Sequence, residues 1–251
     1  MRARPIHERP SISAALGVAC GFAVGPLFAL TSFLRGSRTF HPHGDLYAAR
    51  VSVEATSRTH AELAARLAGP AIVRFSGALW KHAQILDVLG CALRFRGDET
   101  ITELSTDQDL LFATIQRPWT MPIAPLMTNA RDYLGNDYFA VSPFDVVGIG
   151  RLYFRLRPDQ VSKVTGGRGQ RLDVAVARAC ARLHLEGARG PWGPWQPIAS
   201  VDILSRIDTD DAALRFDPFA DGRGLRPVGF VHSLRRGVYE MSQLARPKRE
   251  R

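Results

Sequence analysis

The sequence predicts an α+β fold: a closed antiparallel β-barrel of about eight strands, with helical insertions and an apolar helix at the N-terminus. Three observations lead there. Short strand-like stretches recur along the chain with Gly, Pro and Asn turn signals between them. No regular alternation of helix and strand runs through them, which sets a parallel α/β sheet aside. The chain of 251 residues, 45% hydrophobic and 23% charged, is long enough to bury one core and ordinary enough for a globular domain.

Taken in order, residues 11–34 carry no charge, with Arg2, Arg4 and Arg9 before them and Arg35 and Arg38 after. That length approaches the roughly 20 residues of a membrane span. Gly17, Gly21 and Gly25 are spaced for close helix packing. Pro26 in mid-segment and arginines on both sides favour a helix packed on the barrel or lying at a membrane surface. A single span and a cleaved signal are the alternatives. Residues 1–38 are read as this apolar segment, 39–245 as the barrel and 246–251 as a basic tail. Residues 47–53 alternate as a half-buried strand does. Thr59 with Glu62 predicts a capping box opening a helix through Leu67, stopped by Gly69-Pro70. Strands are expected at 71–76, 88–95 and 110–116, then a helix over 122–134 ended by Gly135-Asn136. Further strands are expected at 150–157, 182–186, 197–204, 213–216 and 227–232. Gly166-Gly167-Arg168-Gly169 reads as a flexible loop, Arg131-Asp132-Tyr133 as a solvated helix face, and residues 191–195 as a turn.

A net charge of +9 and a pI near 10.2 raise nucleic acid as a partner. The charge is nearly all arginine scattered along the chain, with Lys81, Lys163 and Lys248 the only lysines, and no nucleic-acid partner is expected. Cys20, Cys91 and Cys180 are odd in number and have no metal-binding spacing, which fits a reducing, cytoplasmic compartment with inner-membrane association through residues 11–34.

The chemistry-bearing residues cluster between Phe40 and Phe95. His41, His43 and Asp45 alternate, so on a strand all three point one way. One chemistry for this pattern is a neutral imidazole that moves a proton between the two oxygens of a peroxide. The other is a metal site, since imidazole and carboxylate both suit zinc.

Three blocks decide between them: Thr39-Phe40-His41-Pro42-His43-Gly44, then Val73-Arg74-Phe75-Ser76, then Asp87-Val88-Leu89-Gly90-Cys91-Ala92-Leu93-Arg94-Phe95. In this order and spacing they resemble the haem-facing wall of the haem-dependent catalase superfamily. The resemblance implies a catalase-like barrel with haem as cofactor and a peroxide or lipid hydroperoxide as substrate. It implies that His41 is the distal acid/base group, that Ser76 supports it, and that Arg74 anchors a haem propionate. Thr39, two residues before His41, resembles the T-x-H form of the allene oxide synthase relatives, which implies organic hydroperoxide chemistry. The chain departs from the family pattern in several places. Leu89 stands where catalases carry an arginine, and the distal asparagine has no counterpart near Leu111-Phe112-Ala113-Thr114. Arg235-Arg236-Gly237-Val238-Tyr239 has the R-x-x-x-Y spacing of the proximal helix, making Tyr239 the only formal axial ligand. It follows the barrel so closely that packing is its expected role.

The metal alternative is a phosphodiesterase-type hydrolase, because His41-x-His43-x-Asp45 resembles the opening of the H-x-H-x-D-H motif. Its sixth position is Leu46, and His60, His82, His184 and His232 fall outside the motif's settings. A haem-free, non-catalytic barrel is the third reading.

Overall fold

The structure is a computed structural model that describes residues 43–78, 84–98, 104–117, 120, 123–140, 142–159, 164–209, 214, 216–217 and 220–228. The chain divides into two units, Phe40–Pro227 and a second made of Met1–Thr39 with Val228–Arg251. Apart from Val228, the second lies outside the described residues, and the expected N-terminal helix lies there with it.

The first unit is a closed antiparallel barrel of eight strands. These are β1 (His43–Val53), β2 (Gly69–Gly77), β3 (Leu89–Phe95), β4 (Gln108–Ala113), β5 (Tyr138–Phe139), β7 (Gly150–Pro158), β8 (Arg182–Ala188) and β9 (Gln196–Arg206). Each pairs with the next, and β9 closes the ring on β1. Two short strands, β6 (Phe144–Val146) and β10 (Leu225–Pro227), extend the sheet from β7. Full closure removes exposed strand edges, which suits a sheet built from such apolar strands.

Alternation decides what fills the barrel. Tyr47, Val51, Val73, Phe75, Cys91, Leu93, Leu110, Phe112, Phe154 and Leu156 join one buried core. At its centre the Phe75 ring meets Tyr133 at 5.1 Å, Tyr138 at 6.1 Å and Tyr47 at 6.4 Å. The Tyr138 hydroxyl donates to the Tyr133 carbonyl at 2.7 Å, so burial leaves it satisfied. Burial pushes the Tyr133 phenol up to about 12.

Helix α1 (Arg58–Leu67) follows β1 and feeds Leu63, Ala64 and Leu67 into the core. Its N-cap is Ser57 rather than Thr59: the Ser57 hydroxyl accepts from the His60 amide at 3.3 Å. The helix expected over 122–134 shrinks to α2 (Ala124–Met127) and a 3-10 turn at Tyr133–Gly135. Side chains here compete with the helical backbone. Thr128 donates back to the Ala124 carbonyl, the Asn136 amide donates to the carbonyls of Asn129 and Asp132, and Asp132 accepts from the Leu134 amide. Asp132 and Tyr133 are buried, so the expected solvated face is a buried turn, with Arg131 exposed.

Arg168 and Gly169, expected in a loop, open helix α3 (Arg168–Ala177), with Gly167 as N-cap. Its Leu172 and Ala175 enter the core, and its Asp173 accepts from the Tyr47 hydroxyl at 2.7 Å. Leu214 and Phe216 are described and lie outside any strand, unlike the expected strand at 213–216. The final strand runs over Leu225–Pro227 instead of 227–232. Among the described residues no helix is long and apolar enough to cross a membrane.

His60 supplies a pH test of this packing. Burial, aided by Arg189, holds its imidazole below the ordinary 6.5, although a hydrogen bond to Pro197 works the other way. The folded chain keeps it neutral while the unfolded chain takes up a proton near 6.5, so stability is full above that value and falls as pH drops through it. We expect wild type to lose at most about 1.4 kcal/mol per pH unit from this group. His60→Gln should flatten that part of the curve, measured by thermal unfolding between neutral and mildly acidic pH.

Candidate functional site

The side chains between the core-facing positions of β1–β4 form the outer face of the barrel wall. Val73 and Phe75 point into the core, so Arg74 and Ser76 point out. Strand register carries that face across four strands. Leu46 lies opposite Arg74, Arg74 opposite Ala92, and Ala92 opposite Leu111. The next row runs Gly44, Ser76, Gly90 and Ala113. Arg74, Ser76 and Ala92 are all buried although they face away from the core.

Small residues make this wall flat. At Gly44 an added Cβ would stand 2.6 Å from the Arg74 Cζ, 2.7 Å from its Nε and 2.7 Å from the Phe75 carbonyl oxygen. The guanidinium therefore lies directly across the β1 backbone, and only glycine leaves it room. Gly90, Ala92 and Ala113 continue the shallow surface beside it.

A third row fixes the lower edge of the face. Ile72 lies opposite Arg94 and Arg94 opposite Asp109. Arg94 donates through Nε to Asp109 Oδ1 at 2.8 Å and through Nη2 to Oδ2 at 2.6 Å, with both side chains at most 1% exposed. Asp109 Oδ2 also accepts from the Asp217 amide at 2.7 Å, and the Phe216 ring lies 5.1 Å from the Arg94 guanidinium carbon. Leu214 packs with Leu46 and Ile72, Ile207 and Phe216 lining the same cluster. The segment after β9 thus covers this end of the outer face.

Asp87, one of the positions carrying the family resemblance, is a structural knot. Its Oδ1 accepts from the amides of Ala78 (3.1 Å) and Val88 (2.9 Å), and its Oδ2 accepts from Arg168 Nη1 at 2.9 Å. It ties the β2–β3 connection to the first residue of α3. Leu89, where the resemblance expects an arginine, points into the core.

Of the site residues expected from sequence, Arg74 and Ser76 are brought together two positions apart on one buried face. His41, Thr39 and Tyr239 lie outside the described residues. Among the described residues, no tyrosine is on the outer face of β1–β4: Tyr47, Tyr133 and Tyr138 belong to the core, and Tyr153 sits on β7.

For the metal alternative, Asp45 accepts a hydrogen bond from Arg206 Nη2 at 2.5 Å, which already neutralises that carboxylate. His184 is engaged elsewhere, its Nδ1 2.7 Å from Glu54 and its Nε2 3.5 Å from Asp159. Among the described residues no group of three or more His, Cys, Asp or Glu is placed to hold a metal ion. The glycine–alanine bed and the Arg94–Asp109 pair escape a reading by motif. Their signal was the register of β1–β4, in which Gly44 and Gly90 fall either side of Ser76.

No family model matches the sequence, and no curated protein matches it either. Solved structures do. The structure is similar to that of a bacterial catalase, with a TM-score of 0.59 and 13% identity over 86% of this chain and 59% of that one. A fungal catalase gives a TM-score of 0.58 and 12% identity over 87% and 61%. The chain therefore spans about three-fifths of the length of the catalases it matches. At these identities the likeness is one of fold, and the fold is a catalase-like antiparallel β-barrel.

Proposed function

We propose that this chain is a divergent catalase-like protein that binds haem and acts on peroxide or organic hydroperoxide. The observation that carries the reading is the buried outer face of β1–β4, where Arg74 and Ser76 lie beside a bed of Gly44, Gly90, Ala92 and Ala113. A flat bed with a guanidinium at its side fits one face of a planar macrocycle bearing carboxylates. When bound, haem supplies the redox chemistry that cleaves the oxygen–oxygen bond.

The protein's own residues then have distinct tasks. Arg74 pairs with a propionate. His41 takes a proton from one peroxide oxygen and returns it to the other. Ser76 and Thr39 hold the imidazole by hydrogen bonds, and the threonine hydroxyl favours organic hydroperoxides over dismutation. Tyr239 is the candidate axial ligand. The reading places the barrel domain over residues 39–245, in the cytoplasm, with residues 11–34 at a membrane surface.

The test is His41→Ala in hemin-loaded protein. Turnover of an organic hydroperoxide should fall by at least about a hundredfold, the usual share of a positioned acid/base group, while hemin still binds. Equal turnover in wild type and variant would remove His41 from the reaction.

A further inference from the structure

Where β2 hands over to β3, Ala78, Val88, Ala113 and Ala124 pack into a small cluster separate from the core. Two stretches of chain border it, and both turn apolar side chains to solvent. The turn before β3 exposes Ile85 (62%) and Leu86 (56%). Helix α2 exposes Leu126 (73%) and Met127 (62%), with Ile123 (50%) just ahead of it. Single exposed leucines are ordinary, whereas five such residues around one cluster are a surface that asks for an occupant.

The local backbone holds these side chains out. Leu86 has φ 43°, a left-handed conformation that a branched side chain avoids. The neighbouring Asp87 fixes that turn through its bonds to Ala78, Val88 and Arg168. Thr128 pins α2, its hydroxyl bonded to the Ala124 carbonyl at 2.8 Å and paired with that of Thr114 at 2.7 Å.

Charge selects the occupant. The exposed residues of stretches 84–87 and 123–131 are Ile85, Leu86, Ile123, Leu126, Met127, Asn129 and Arg131. Arg131 is the one charged residue among them, and it is a cation. The two acids of these stretches, Asp87 and Asp132, are buried and paired with Arg168 and Arg171. The chain as a whole carries +9. An apolar face with a basic rim and no exposed acid, on a cationic protein, matches an anionic bilayer.

We infer that this face docks the barrel on an anionic lipid surface, with Leu86, Leu126 and Met127 seated at the headgroup–acyl boundary. The inference is independent of haem. It involves a surface separate from residues 11–34. Ala113 belongs both to the apolar cluster and to the row containing Ser76, so the docking face adjoins the candidate site.

The test is co-sedimentation of the full chain with vesicles of phosphatidylcholine, alone or mixed with phosphatidylglycerol. Wild type should bind the mixed vesicles and leave the neutral ones. Leu126→Asp with Met127→Asp should weaken that binding roughly tenfold or more. Leu86→Gly relieves the left-handed strain, so it should weaken binding while unfolding at no lower temperature than wild type. This variant decides the matter if the double variant fails to fold. Failure of wild type to bind overturns the inference, as does binding by the variants equal to wild type, which would place attachment elsewhere in the chain. A change of oligomeric state with vesicle binding unchanged also overturns it and assigns the face to a second copy.

Discussion

Replacing Asp109 with alanine is expected to lower folding stability by about 3–5 kcal/mol, the usual effect of stranding one member of a buried ion pair. The Arg94 guanidinium would remain at 1% exposure without the carboxylate that both its bonds now reach. The same change frees the Asp217 amide, loosening the segment that carries Phe216 over Arg94 and Leu214 over Leu46 and Ile72. Changing both partners together, Arg94→Met with Asp109→Leu, should recover most of the loss, because two apolar groups need no desolvated charge. Urea unfolding of the two variants separates the cases. A single variant as stable as wild type would mean that the pair adds little and that the segment is held by its apolar contacts alone.

The second large effect concerns binding. On the haem reading, Arg74→Leu should weaken hemin affinity about ten- to a hundredfold, since hydrogen bonds to charged groups contribute roughly 1.5–3 kcal/mol. Arg74→Lys should recover only part of it. A lysine keeps the charge, but the guanidinium is a planar fork that can lie flat over Gly44 and present two donors. Hemin titration of the three proteins reads the effect directly. Equal affinities would place any haem away from this face.

The barrel was legible because its strands carry the period of two in plain form. In β2, Val73 and Phe75 alternate with Arg74 and Ser76, so the same four residues reveal the core and the candidate site at once. Helices were less legible where polar side chains bind their own backbone. Thr128, Asn129, Asp132 and Asn136 break the stretch expected to be one helix. In α3 the opposite happened. Gly166 and Gly167 read as a loop, yet Gly167 is the cap and the helix begins one residue later. The left-handed Leu86 had no signal, since its conformation is imposed by the Asp87 bonds across the turn. Within the site, Arg74 and Ser76 were found by motif. The Arg94–Asp109 pair and the glycine bed depend on which residues the β1–β4 register sets opposite one another, and no local pattern states that.

The most direct test of the account is a visible absorption titration of the purified full chain with hemin. The account predicts a Soret band that grows and shifts until one haem per chain is bound, and then saturates. A spectrum equal to that of free hemin at every ratio would contradict it, leaving a catalase-like barrel without a haem site.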